Sequence, residues 1–195
     1  MKAGFKESTG YYILKSLLVL TVIAIVAGAL LGAVNYFTKT DENQTILKKA
    51  EAFYGAAGYS VFEGEIPDCP DGYVKTVLMP EGEEDAYLYL AGGKGYGGSV
   101  ELFVLVKGGI IEKIGVYSAK ETPGLGAAVL DKGKIFTQFI GTDISALDAF
   151  VYTKHAQGAG EVEAVSGSTK TSNGVLGALN AVVFCHKTIG GGGND

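Results

Sequence analysis

At 195 residues, 47% hydrophobic and 19% charged, the chain suits one compact domain plus an appendage. Its net charge is −5 and all sixteen basic residues are lysine, so it lacks the guanidinium groups on which phosphate-backbone and base-edge readers rely. Its thirty glycines cluster at turns without a fixed period, which excludes a fibrous or solenoid chain.

The first element in chain order is the apolar run "SLLVLTVIAIVAGALLGAVNYF", Ser16 to Phe37, which contains no charged residue and is long enough for a bilayer core. Lys2, Lys6 and Lys15 precede it, while Lys39, Asp41 and Glu42 follow. The positive-inside bias puts the N-terminus in the cytoplasm and everything after Thr40 outside it. Tyr11, Tyr12 and Tyr36 stand where interfacial aromatics belong. A removable signal peptide is the competing reading, but the run exceeds the usual apolar core of one, so a retained single-pass anchor is expected. Ala24, Gly28 and Gly32 recur at four-residue spacing, which permits close helix–helix approach, although small residues are common in membrane helices in any case.

Past the anchor, "ENQTILKKAEAFY" (Glu42–Tyr54) predicts a juxtamembrane helix with Ile46, Leu47, Ala50 and Phe53 on one stripe. "IPDCPDGY" is a turn. Strand-like runs follow at 73–79, 86–91 and 99–107, and Gly108-Gly109 leads into "IIEKIGVYSA" as a tight hairpin. A loop around Pro123 leads to a short helix; "KIFTQFIG" reads as a small amphipathic element and "DAFVYTK" as a strand. The last helix is expected from about Ser172 to Thr188, burying Val175, Leu176, Leu179, Val182 and Val183. Strands in series with helices at both ends predict an α+β domain on an antiparallel sheet with flanking helices. The expected divisions are a cytoplasmic segment 1–15, a transmembrane helix 16–37, a juxtamembrane helix and linker 38–58, a domain 59–189 and a flexible tail 190–195.

Three glycine-bearing loops are candidates for chemistry. "GGKGYGGS" (Gly92–Ser99) lets backbone approach a ligand, or is simply a flexible hairpin loop. It opens no helix after a strand and carries no P-loop lysine and hydroxyl pair, so a nucleotide fold is excluded. "KETPGLGA" (Lys120–Ala127) offers a carboxylate, a hydroxyl and an apolar Leu125, which suits the edge of a flat aromatic ligand or a helix cap. "SGSTKTS" (Ser166–Ser172) sets a glycine and clustered hydroxyls before the last helix. Unpartnered N–H groups and the helix dipole make that position an anion site, and phosphate is the anion expected. His155 and His186 form no nucleophilic triad, and Cys69 and Cys185 have no metal-type spacing. They are either buried free thiols or a disulfide. The acidic run "EGEEDAY" lacks the spacing of a calcium loop and reads as solvated.

Taken in order, the single apolar helix, "GKGYGGSVELFVLV", "KETPGLG" and "SGSTKTSNGV" resemble the extracytoplasmic FMN-binding domain family, and within it the G subunits of Rnf-type ion-translocating ferredoxin:NAD oxidoreductases. The resemblance covers nearly the whole chain. It implies an FMN joined through its phosphate to the last hydroxyl of the S/T-G-A-T motif by a dedicated flavin transferase. Here that motif is Ser166-Gly167-Ser168-Thr169, so Thr169 is the implied acceptor, and Ser168 departs from the usual alanine. Thr171 and Ser172 are then expected to cap the helix around the phosphate. Glu121, Thr122, Gly124 and Leu125, with Tyr96 and Gly97 of the first loop, are the implied neighbours of the flavin ring.

The function implied is that of an electron-relay subunit without substrate turnover of its own, working with other membrane subunits of the complex. The C-type subunits of sodium-translocating quinone reductases are a related alternative, though usually longer. A free-standing anchored flavoprotein is another, which haem-attachment or lipobox motifs would favour. A cofactor-free tethered scaffold is the alternative of another class.

Overall fold

The computed structural model describes residues 9–38, 42–56, 58–123, 126–131 and 133–190. The chain divides into two units, residues 1–45 and residues 46–195. In the first, helix α1 (Thr9–Thr38) contains the stretch Gly10–Val34, the one described helix long and apolar enough to cross a membrane. Its large side chains are exposed all round, as a helix surrounded by lipid or by other helices requires.

The second unit is built on a five-stranded antiparallel meander of β1 (Tyr59–Val61), β2 (Tyr73–Pro80), β3 (Ala86–Lys94), β4 (Ser99–Lys107) and β5 (Ile110–Ala119), which pair in chain order. The β4–β5 hairpin pairs Lys107 with Ile110 across Gly108 and Gly109, whose φ values of +53° and +78° suit a tight two-residue turn. Strand alternation divides the apolar residues between two faces. Leu78, Leu88, Leu90, Phe103 and Leu105 meet Ile46 and Ala50 of α2 (Glu42–Tyr54), with Phe53 stacked on Phe103 at 5.6 Å between centroids. Lys113 Nζ donates to Phe53 O at 2.6 Å and secures the end of that helix. The opposite face, with Val77, Tyr89, Ala91, Leu102 and Val104, carries α4 (Thr169–Ile189) through Val175, Ala178, Leu179 and Val182. With both faces covered, β3 and β4 are apolar almost throughout, which is why "SVELFVLV" runs on rather than alternating. The α+β class, the antiparallel sheet and the flanking helices stand as expected.

Several boundaries differ from the sequence reading. Strand β3 continues through Gly92 and Gly93 to Lys94, because α4 lies backbone-to-backbone on it. A Cβ on Gly93 would collide with Gly174 O and reach within 2.8 Å of Ala178 N. "KIFTQFIG" contains one 3₁₀ turn, Phe136–Gln138, and α3 (Gly126–Asp131) is the short helix after Pro123. "DAFVYTK" contributes only β6 (Val151–Thr153), which pairs in parallel with β7 (Glu161–Glu163), an element absent from the sequence reading. Glu83, within the acidic run, is not merely solvated: it binds Lys107 Nζ at 2.7 Å and accepts from the Tyr54 hydroxyl.

Candidate functional site

Helix α4 starts at Thr169, three residues before the expected Ser172. Gly167, at φ +80°, turns the chain into the helix, and Ser168 is the N-cap residue but makes no side-chain cap bond. The first turn holds no acidic residue. The open N–H groups and the positive end of the helix dipole therefore face outward without an internal anion on the helix itself.

The hydroxyls around this mouth are already divided in role. Thr171 and Ser172, expected to cap the helix start, lie inside its first turn. Thr171 Oγ1 donates to Glu121 Oε2 at 2.7 Å, and Ser172 Oγ accepts from Val165 N at 3.2 Å, holding the incoming loop against the helix. The Tyr152 hydroxyl donates to Ser172 O at 2.5 Å, and burial pushes its pKa up to about 12. Ser166 and Thr169 are exposed, and neither hydroxyl has a hydrogen-bond partner among the described residues.

The three predicted loops meet at one pocket of about 490 Å³, within the range of small-molecule sites. Tyr96, Glu121, Thr122 and Gly126 form one wall, and the run from Gly167 to Thr171 forms the other. Gly97 contributes its N–H to the Glu121 carboxylate at 3.4 Å, and a Cβ there would strike Lys120 O, so glycine is what lets the first two loops touch. Ser166 and Ser172 flank the mouth without lining the pocket. Gly124 and Leu125 lie outside the described residues. Gly126, one of the two glycines flanking Leu125 in the second loop, lines the pocket, whereas sequence reasoning missed Lys170. Lys170 Nζ sits 5.9 Å from the Tyr96 ring centroid and brings a cation to the pocket. Its signal was a positive charge beside the Thr169 hydroxyl, inside "STKTS" itself.

The remaining reactive side chains lie elsewhere. His186 Nδ1 is 2.8 Å from the Tyr89 hydroxyl in the core, and burial lowers its pKa. Cys69 and Cys185 are free thiols, with Cys69 Sγ donating to Ala181 O at 3.5 Å and burial pushing Cys185 up to about 12. Among the described residues no three metal-ligating side chains gather.

Comparison with known proteins converges on the same segment. The family described as "FMN-binding domain" matches residues 95–183. The chain is 29% identical over 191 residues to the G subunit of the Na(+)-translocating ferredoxin:NAD(+) oxidoreductase complex of Acetobacterium woodii, covering 88% of this chain and 90% of that one. It is 29% identical over 189 residues to the G subunit of the proton-translocating ferredoxin:NAD(+) oxidoreductase complex of Clostridium ljungdahlii, covering 89% and 91%. The crystal structure of Shewanella oneidensis NqrC superposes with a TM-score of 0.46 at 21% identity, over 73% of this chain and 70% of that one. The family model thus matches the segment that holds both walls of the pocket and most of α4, and the chain is similar over nearly its whole length to the two G subunits.

Proposed function

We propose that the chain is an electron-relay subunit of a membrane-bound, ion-translocating ferredoxin:NAD oxidoreductase complex, anchored by α1 and carrying FMN as a phosphoester on Thr169. The observation that carries this reading is the mouth of α4: an uncapped helix start with an exposed, unpartnered Thr169 hydroxyl at its first position, within a pocket of about 490 Å³. A phosphate on Thr169 would lie among open backbone N–H groups beside Lys170, so dipole, hydrogen bonds and the lysine charge act in one sense, against the Glu121 carboxylate on the other wall. Each such term contributes on the order of 1 kcal/mol. Together they orient a phosphate; a covalent bond would keep it for the life of the protein.

The residues present fit the group. Glycines admit a flat ring against backbone, Thr122 and Tyr96 stand at the wall, and Lys170 offsets phosphate charge. FMN, when bound, supplies one- and two-electron chemistry, and the chain's part is to hold and orient it and to set its surroundings. Loading requires a transferase and a flavin dinucleotide. The Thr169 oxygen bonds to the FMN phosphorus, the phosphoanhydride bond breaks, the nucleoside monophosphate leaves with the bonding pair, and the hydroxyl proton passes to solvent. The subunit then exchanges electrons with neighbouring redox subunits on the outer side of the membrane. Intact mass and in-gel flavin fluorescence test the reading. The native chain should carry one FMN and Thr169→Val none, with the domain still folded; an adduct persisting in Thr169→Val would overturn it.

A further inference from the structure

The carboxylate of Glu121 bonds to two other segments of the site at once. Its Oε1 accepts from Tyr96 N at 3.0 Å and Gly97 N at 3.4 Å, while Oε2 accepts from Thr171 Oγ1 at 2.7 Å. Oε1 faces two backbone N–H groups and must accept, whereas the Thr171 hydroxyl opposite Oε2 can donate or accept. The seat is closely fitted. A Cβ on Gly126 would come within 2.6 Å of Oε2, and one on Gly95 would run into Oε1. Thr171 is only 2% exposed, so its hydroxyl is committed inward. Among the described residues no other side-chain hydrogen bond joins the loop after β3 to the first turn of α4; beside it stands only the looser contact of Lys170 Nζ with the Tyr96 ring at 5.9 Å.

We propose that Glu121 is the positioning residue of the flavin site: it latches the Tyr96–Gly97 loop to the first turn of α4 and so sets the pocket's shape before the cofactor arrives. The proposal rests on the covalent-flavin reading for its consequence, but the latch itself belongs to the cofactor-free chain. Because both connections run through one carboxylate, losing either arm releases the same loop. The effects of removing Glu121 and of removing the Thr171 hydroxyl must therefore overlap rather than add. Glutamine can keep both arms: its carbonyl accepts from the loop N–H groups, and its amide donates to Thr171 Oγ1, with that hydroxyl now the acceptor. Alanine keeps neither.

The test uses the full chain in two forms. In chain prepared without the transferase, amide exchange at Tyr96 and Gly97 should be at least tenfold faster in Glu121→Ala and close to native in Glu121→Gln. Thr171→Val should give an intermediate rate, and Glu121→Ala/Thr171→Val should exchange no faster than Glu121→Ala alone. In chain loaded with FMN, Glu121→Ala should show lower flavin fluorescence anisotropy, restored in Glu121→Gln, with the adduct still on Thr169. Unchanged exchange at Tyr96 and Gly97, additive effects, or native anisotropy in Glu121→Ala would each overturn the latch. A native chain that gains no FMN mass would instead defeat the covalent reading, and the exchange measurements would still decide for or against the latch.

Discussion

Thr169 and Thr171 are separated by a single residue, yet their surroundings assign them different work. Thr171 is buried and donates to Glu121, whereas Thr169 is exposed and its hydroxyl has no partner among the described residues. Thr171→Val is therefore expected to stay flavinylated while loosening the start of α4 by about 1.5–3 kcal/mol, the scale of a lost hydrogen bond to a charged acceptor. Denaturant midpoints and intact mass on the same preparation check both halves. A second residue-scale expectation concerns His186. Burial lowers its pKa despite the opposing fields of Asp143 and Asp85, so the folded state binds fewer protons than the unfolded one. Stability from this group is thus complete above the unfolded value of about 6.5 and falls as pH drops towards the lower folded value. Denaturation series between pH 5 and pH 8 should show that decline, and His186→Gln should flatten it. Tyr89→Phe, which strands His186 Nδ1 in the core, should cost about 1–3 kcal/mol at neutral pH.

Among the elements, what could be read in advance was whatever is encoded locally. The β4–β5 hairpin was legible because Gly108-Gly109 supplies the positive φ its turn needs and apolar runs flank it. The turn into α4 was legible because a glycine and several hydroxyls converge on a helix start within a few residues. The register of that start was not, since Thr169, Thr171 and Ser172 are weak helix formers, and Gly167 and the Glu121 bond from fifty residues away help to set where the helix begins. Strands β6 and β7 were obscure for a related reason: three-residue strands in parallel have no periodicity of their own and exist through each other. Glycines were the deepest ambiguity. Gly97 serves the pocket, whereas Gly93, four residues earlier, serves the contact with α4, and nothing local distinguishes them. Gly93→Ala places a methyl group against backbone that cannot rotate away, so it should cost about 3 kcal/mol. A thermal or denaturant melt measures this, and a near-neutral result would mean α4 can lift from β3.

For the molecule as a whole, the lysine asymmetry around the apolar run carries an expectation about sidedness. An engineered cysteine at exposed Ser60 should react with a membrane-impermeant thiol reagent in intact cells, above the background of the unsubstituted chain. Labelling only after lysis would place the domain on the other side. The face of α1 bearing Ala24, Gly28 and Gly32 is the expected contact with other subunits. A Cβ on Gly28 or Gly32 meets nothing within 4 Å in this chain, so Gly28→Leu should leave the domain flavinylated and weaken copurification of the complex. Unchanged copurification would move the contact to another face.

The seating of α4 on the sheet has a consequence for anyone who would transplant the proposed flavin-attachment sequence. Gly93 and Gly174 meet through bare backbone, and a Cβ on Gly177 or Gly72 would strike Asp71 O or Gly177 O. At these glycine contacts no side chain stands between helix and sheet to act as a shim, so the height of the helix there is fixed by the chain's own thickness. A short tag containing Ser166 to Ser172, appended to the end of another protein's helix, would bring Thr169 without the surface against which it is levelled. The smallest portable unit is thus the helix together with strands β2 to β5, their glycines and the loop from Glu121 to Gly126, a cartridge rather than a peptide.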